Sequence, residues 1–231
     1  MAGDSGPLLV LLHLCDNLFP LGSFAHSDGL ETATSADLVK SGSDLRSWML
    51  VIRDEVLARG DGPALRIAFE AFARGAFDDI GAVDADLNAM RPALTARQAS
   101  RTMGARLLKT WQEIRPDPEI ARLLASGSRS AGAAGVGLPI AFGVVCAASA
   151  VPVRAALEGY FYTRLAATVS AAMRLMSVGQ HEAHALLAEA LDGVPAAAAE
   201  AMAWPQPTSF VPALDLAAMN HQYLHSRLFR S

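Results

Sequence analysis

The feature that most constrains this chain is the helical spacing of its apolar residues, which recurs in nearly every segment. One such stripe consists of Leu45, Trp48, Met49, Ile52 and Val56. These positions repeat with a period near 3.6 residues, and no segment alternates with the period of two that marks a half-buried strand. The 231-residue chain is therefore predicted to fold as one all-α domain over residues 1–231, a bundle of about nine or ten helices.

Several helix boundaries are predicted from residues that favour helix ends. Ser43 is predicted to cap the helix that carries this stripe. Pro63 suits the first turn of the next helix, because proline lacks the N–H that this position leaves unpaired. Thr95 and Gln98 are spaced as a capping box for a later helix. A long helix is expected after Pro152.

Two stretches are predicted to interrupt the bundle. Residues 126–137 are rich in Gly, Ser and Ala, which predicts a mobile loop. Residues 194–207 contain three prolines and are expected to separate the main bundle from a C-terminal helix and tail at 208–231. The apolar stripe of that last helix is predicted to continue from Leu214 to Leu228.

An uncharged run between Arg129 and Arg154 could be mistaken for a membrane span. A transmembrane helix needs roughly 20 predominantly apolar residues. Glycines and prolines divide this run, and what remains is one short helix over residues 138–150. The sequence therefore predicts a buried core helix.

Composition excludes several classes of protein. Hydrophobic residues make up 52% of the chain and charged residues 18%, so a large core can form. A net charge of −4 argues against a nucleic-acid binder, which needs a basic surface. The two cysteines build no disulfide framework and no CxxC zinc site, and the apolar N-terminus lacks the basic region of a signal peptide. The expected compartment is the reducing cytoplasm.

No catalytic motif is present in the sequence. There is no GxxxxGK[ST] phosphate loop, no GxGxxG after a strand and no GxSxG nucleophile elbow. Cys15 and Cys146 lie in apolar stretches and are interpreted as buried and inert. The sequence thus predicts neither an enzyme nor a bound cofactor.

The histidines leave two interpretations open. His181 and His184 are spaced i, i+3, and His221 and His225 are spaced i, i+4. Either pair could share a helix face and bind a metal, since imidazole is a good nickel ligand. Alternatively they are surface or helix-end histidines, and this interpretation is favoured because no third ligand lies nearby in sequence.

Three motifs identify a family. Residues 18–31, LFPLGSFAHSDGLE, resemble the signature LPxGxFxxSxGLE of the UreF family of urease accessory proteins. Ser27 and Glu31 in this motif are expected on one helix face. Gly29 is expected inside that helix, where glycine costs about 1 kcal/mol relative to alanine, so another backbone should pack closely there. The alternative for Glu31 is an ordinary solvated or capping carboxylate.

The second and third motifs lie toward the end of the sequence. Residues 170–180, SAAMRLMSVGQ, resemble SxxxRLxPLGQ, with serine and valine in place of the usual Pro-Leu. Residues 221–231, HQYLHSRLFRS, match HxxLxxRLFxS at every specified position. Phe229 is expected to remain available for a partner, although it could instead fold back on its own bundle. The resemblance makes the following residues candidates for partner binding: Glu31, Arg174, Gln180, His221, Arg227, Leu228, Phe229 and Ser231.

The resemblance implies a role in nickel insertion. UreF proteins are all-α homodimers that associate with the accessory protein UreD, called UreH in some organisms. That complex recruits the nickel-binding GTPase UreG and delivers Ni²⁺ to apo-urease. The chain is thus expected to be a non-catalytic adaptor that modulates GTP-dependent nickel delivery. A helical metal-dependent enzyme and a dedicated nickel carrier that uses His181 and His184 remain alternatives.

Overall fold

The structure, a computed structural model, describes residues 6–130 and 135–230, without the side chains of 126–130. Those residues form helices and no strand, which confirms the all-α prediction. The α-helices are α1 Gly6–Cys15, α2 Leu30–Ser35, α3 Gly42–Val51, α4 Gly62–Ala73, α5 Phe77–Ala89, α6 Leu94–Ile114, α7 Pro118–Ser130, α8 Leu138–Ala148, α9 Val153–Leu175, α10 Gln180–Asp192, α11 Val194–Ala203 and α12 Pro212–Asn220.

Helices α3 and α4 are joined by a ten-residue π-helix, Ile52–Asp61, so the chain stays helical from residue 42 to residue 73. Ser41, rather than Ser43, caps this run through a capping box with Asp44. Pro63 lies in the first turn of α4, as predicted. π-Helices are rare, and the single-turn π-bulges found inside α-helices are frequent at functional sites. Here the π-helix ends at Asp61, which is buried.

Helix α8 lies at the centre of the bundle, packed between α4 and α6. All its residues from Leu138 to Cys146 are buried. A Cβ added at Gly143 would lie 2.6 Å from the carbonyl oxygen of Leu65, so glycine permits the close approach of α8 to α4. The prediction of a buried core helix is confirmed. Within the described ranges no helix is long and apolar enough to cross a membrane.

Helix α9 begins directly after Pro152, as predicted, and is the longest helix in the described residues, at 23 residues. It contacts α1, α2, α8, α10 and α11. Helix α9 carries Tyr160, Arg164 and Arg174, which therefore lie at successive positions along its length.

Two predicted boundaries in the middle of the chain are wrong. Helix α6 begins at Leu94 with Ala93 as its N-cap, so Thr95 and Gln98 do not form a capping box at its start. Helix α7 extends through Ser130, so residues 126–130 are not a loop, and residues 131–134 of that predicted loop lie outside the described residues.

The predicted break at residues 194–207 is largely helical. Helix α11 occupies Val194–Ala203, with Pro195 in its first turn, where a missing N–H breaks no bond. The break is confined to residues 204–211.

The last helix is also shorter than its apolar stripe predicts. Helix α12 ends at Asn220, a 3₁₀ turn spans His221–Tyr223, and residues 224–230, which we call the tail, are not helical. The amide groups of Leu228 and Phe229 donate hydrogen bonds to a distant side chain. Those tertiary bonds replace the helical ones, which is why the stripe from Leu214 does not continue as a helix.

Candidate partner-binding site

Glu31 forms the centre of a buried anchor for the tail. Its side chain, in a residue only 6% exposed, lies in the first turn of α2. The Glu31 Oε1 accepts a hydrogen bond from the Leu228 N–H at 2.5 Å, and Oε2 accepts one from the Phe229 N–H at 3.2 Å. The Nε2 atom of His221 lies 2.8 Å from Glu31 Oε2. One carboxylate thus joins α2, the end of α12 and the tail.

The local backbone before α2 explains how Glu31 reaches these groups. Gly29 precedes α2 with a φ of +87°, a left-handed conformation that favours glycine. A Cβ at Gly29 would lie 2.9 Å from the amide nitrogen of Ala218 and 3.2 Å from the carbonyl oxygen of Leu214. The predicted close approach of another backbone is confirmed and belongs to α12, but Gly29 is not inside a helix. Because α12 lies against Gly29, His221 at its end is brought to Glu31.

Arg174 makes a second contact with the tail. Its guanidinium lies 4.1 Å from the centroid of the Phe229 ring, in a cation–π contact. Arg174 Nη1 also donates to the carbonyl oxygen of Phe24 at 2.8 Å, and the Arg230 N–H donates to the carbonyl oxygen of Ala25 at 2.8 Å. The second motif therefore meets both the first and the third around Phe229.

Phe229 is buried, at 4% exposure, so the expectation that it remains available is wrong for this structure. It packs with the hydrophobic core, as the alternative interpretation proposed.

His221 is fully buried and unlike both predicted histidine types, the metal ligand and the surface histidine. His221 and His225 do not share a helix, because α12 ends at Asn220, before either residue. The Nδ1 atom of His221 has no hydrogen-bond partner in the part of the chain that the structure describes.

The remaining candidates are exposed or lie outside the described residues. Arg227 and Leu228 are exposed, Leu228 to 57%. Gln180 is exposed at the start of α10, and no hydrogen bond joins it to Glu31 or to the tail within the described ranges. Ser231 lies outside the described residues. The three motifs therefore converge through Glu31, Arg174 and the tail but not through Gln180.

An exposed patch results, which we call the tail surface. It consists of Phe24, Arg174, Arg227, Leu228 and Arg230, all of them exposed. Two large apolar side chains beside three guanidinium groups are typical of protein–protein contacts, where aromatic residues and arginine are enriched. The three guanidinium groups favour an acidic partner surface, and the two apolar side chains favour a partner surface that also contains apolar residues.

A second group of buried polar residues was missed by sequence reasoning. Asp61 accepts hydrogen bonds from Arg91 Nη2 at 2.5 Å and from the Tyr160 hydroxyl at 2.8 Å. Burial, together with the charge of Asp61, raises the pKa of Tyr160 well above its ordinary value. Arg164 forms an ion pair with Asp28. Asp28 and Arg91 lie outside the helices and Asp61 is the last residue of the π-helix, so helical periodicity gave no signal for them.

Metal ligation has little support in the described residues. They contain no group of three or more His, Cys, Asp or Glu side chains placed to hold a metal ion. His181 and His184 are both exposed on α10. Burial raises the pKa of Cys15 to about 12 and that of Cys146 well above its ordinary value, so both thiols stay protonated at neutral pH.

Comparison with known proteins gives consistent matches. The model of the UreF family matches residues 39–191. The chain is 32% identical to the urease accessory protein UreF of Paenarthrobacter aurescens over 225 residues, which cover 96% of this chain and 97% of that protein. It is 33% identical to the protein of the same name from Arthrobacter sp. strain FB24, over the full length of both. It is also 32% identical to the bifunctional urease accessory protein UreEF of Bordetella bronchiseptica, over 99% of this chain and 53% of that protein.

Proposed function

This chain belongs to the UreF family of urease accessory proteins, and we propose that it works as an adaptor in the delivery of nickel to apo-urease. Its family is one of accessory proteins and not of enzymes. An accessory role implies assembly with other urease maturation factors. In our proposal these are UreD (UreH in some organisms), the GTPase UreG and apo-urease, bound in the cytoplasm by a homodimer of single-domain chains.

The observation that carries this proposal is the convergence of the three family motifs on the tail. Glu31 of the first motif bonds to two tail amides and to His221 of the third. Arg174 of the second motif covers Phe229. Such a network holds the exposed residues of the tail surface in a fixed position without performing chemistry. A fixed surface lowers the entropy lost on binding a partner.

We assign different roles to the buried and exposed members of this group. Glu31, His221 and Phe229 position the tail, since they are buried in the isolated chain. Arg227 and Leu228 contact the partner, because their side chains remain exposed. UreD or UreG is proposed as that partner, and modulation of GTP-dependent nickel transfer is the proposed consequence.

Complementation tests this proposal. A urease-producing cell that lacks its own UreF gene should regain nickel-dependent urease activity when this chain is supplied. UreD and UreG should co-purify with the chain from those cells. If urease becomes active with neither protein bound to the chain, the adaptor role is wrong.

A further inference from the structure

A groove of about 360 Å³ lies at the surface of the bundle, where helix α3 meets the segment that leads into α12. Trp48 and Val51 of α3 and Glu55 of the π-helix line it, together with residues 210–214. Leu38, between α2 and α3, also contributes to the lining. The tail surface includes none of these residues, so the groove is a separate feature.

The groove exposes several large apolar side chains. Leu38 is 66% exposed, Phe210 is 84% exposed and Val51 is exposed as well. Single exposed apolar residues are common, but several of them around one groove mark an interaction site. Phe210 follows Thr208, whose N–H donates to the carbonyl oxygen of Arg59 at 2.8 Å. That bond ties the loop to the π-helix, so the exposed ring is held beside α3.

The groove also contains a donor without an acceptor. Trp48 is only 8% exposed, and its buried indole N–H has no hydrogen-bond partner in the part of the chain that the structure describes. Buried N–H groups are nearly always hydrogen-bonded. A protein segment bound here would offer backbone carbonyl groups as acceptors.

The charged side chains of the groove are acidic. Among the described residues, the charged ones that line it are Asp44 and Glu55. A hydrogen bond from the Lys40 N–H at 3.0 Å, with others from Ser41, lowers the pKa of Asp44 and keeps this carboxylate charged at neutral pH. The ammonium group of Lys40 lies 3.6 Å from a carboxylate oxygen of Asp37, which offsets its charge.

Glu55 adds to this negative charge although it forms an ion pair. Arg59 Nη1 lies 2.7 Å from Glu55 Oε1, and Arg59 Nε lies 2.8 Å from Glu200 Oε1. One guanidinium thus serves two carboxylates, and their net charge remains negative. An occupant of the groove therefore has to bring positive charge as well as apolar surface.

We propose that this groove binds a segment of another protein that presents apolar side chains flanked by lysine or arginine. The apolar side chains pack against Leu38, Val51 and Phe210, and the cationic groups approach Asp44 and Glu55. An apolar centre with charged groups at its edge is the usual anatomy of such contacts, and complementary charge adds specificity. The inference rests on the adaptor proposal, so the partner is one of the maturation factors named there. Because the tail surface is basic, the two surfaces select partner regions of opposite charge.

Binding of purified UreD, UreG and apo-urease to the full chain tests the proposal, with UreG added to the complex of the chain with UreD. The variant Phe210→Ser removes the exposed ring and should leave the melting temperature unaltered. We expect at least one of the three proteins to lose affinity by roughly tenfold or more. Ile114→Ser, at an exposed apolar position at the end of α6, is the matched control and should bind as the unmodified chain does. Unchanged affinity for all three proteins in Phe210→Ser would overturn the proposal.

Glu55→Lys tests the charge of the groove. Arg59 keeps its bond to Glu200, and a partly exposed ion pair contributes little to stability, so the fold should be retained. The protein that Phe210→Ser weakens should lose affinity again, and its binding to the unmodified chain should weaken as sodium chloride is added. Glu113→Lys, at an exposed position of α6, is the control. Equal or tighter binding in Glu55→Lys would contradict a basic partner, and if this variant loses helical circular dichroism, Phe210→Ser and the salt dependence decide.

The same measurements separate this proposal from its alternatives. If Phe210→Ser changes the self-association of the chain in sedimentation but not its affinity for the three proteins, a second copy occupies the groove and the proposal is wrong. If the unmodified chain binds none of the three proteins, the adaptor proposal fails and this one fails with it. If the unmodified chain binds them and both groove variants bind equally well, only the groove proposal fails.

Discussion

At the scale of single residues, Glu31 connects groups that lie 190 to 198 positions away in the sequence. The family motif makes Glu31 a candidate for partner binding, whereas the local sequence pattern alone predicts an ordinary solvated carboxylate. Nothing near Glu31 in sequence indicates the His221 imidazole or the Leu228 amide as its partners. Tertiary contacts of this kind cannot be predicted from helical periodicity, which reports only which face of a helix is buried.

Glu31→Gln should loosen the tail while the fold is retained. The amide keeps the shape of the carboxylate but loses its charge and places an NH₂ group against one of the donors. We expect a loss of about 1–3 kcal/mol in the free energy of unfolding, measured by urea denaturation, along with lower urease activation. Glu113→Gln, at an exposed position of α6, is the matched control. Stability and activation equal to those of the control would show that Glu31 does not anchor the tail.

Replacing the His181 and His184 pair distinguishes the adaptor proposal from the nickel-carrier alternative. Both side chains are exposed on α10, without a metal-binding group among the described residues. We expect the double variant His181→Ala, His184→Ala to activate urease as well as the unmodified chain does. Calorimetric titration with nickel measures the alternative directly. Micromolar or tighter nickel binding that disappears in the double variant would favour the carrier.

At the scale of elements, the sequence predicts most helices but not where all of them end. Stripes of apolar residues locate α3, α6 and α9 well, because their buried faces follow the helical period. Helix α8 is buried at every residue from Leu138 to Cys146, and the uncharged run predicts it instead. Helix α12 ends early although its stripe continues, since the tail amides bond to Glu31 instead. The break predicted at 194–207 begins only at residue 204, because Pro195 lies in the first turn of α11 and does not break the helix.

Gly29→Ala tests the contact between α2 and α12. The new Cβ would lie 2.9 Å from the amide nitrogen of Ala218, and alanine is strained at a φ of +87°. Gly75→Ala is the control, because Gly75 has a φ of +71° but open space around it. The control should lose about 1–2 kcal/mol from backbone strain alone. Gly29→Ala should lose clearly more in thermal or urea unfolding, and equal losses would mean that α12 does not pack tightly at Gly29.

Deleting residues 227–231 tests the tail as an element. The deletion removes the buried ring of Phe229, worth about 1.5–3 kcal/mol, and two of the donors to Glu31. We expect a lower melting temperature with most of the helical circular dichroism retained, and loss of partner binding. An unchanged melting temperature would contradict the burial of Phe229 and the anchoring of the tail.

At the scale of the whole molecule, the family resemblance predicts a homodimer. Helix α1 contains no Asp, Glu, Lys or Arg and exposes Leu8, Leu9 and Leu12, an apolar face that a second copy would cover. Sedimentation equilibrium should therefore detect dimers, and Leu12→Glu should shift the equilibrium toward monomers. A protein that is monomeric at high concentration would contradict this expectation.

In our proposal, the tail surface is the place where another maturation factor binds. The most direct test uses the variant Arg227→Glu. Two equilibrium affinities are measured: that of the chain for UreD, and that of the complex of the chain with UreD for UreG. Arg227 is exposed, so the change should leave the melting temperature unaltered. Arg74→Glu, at an exposed position at the end of α4, is the control for added negative charge. We predict that Arg227→Glu loses affinity for UreD or UreG by roughly tenfold or more while the control does not. Wild-type affinity for both partners in Arg227→Glu would contradict the account.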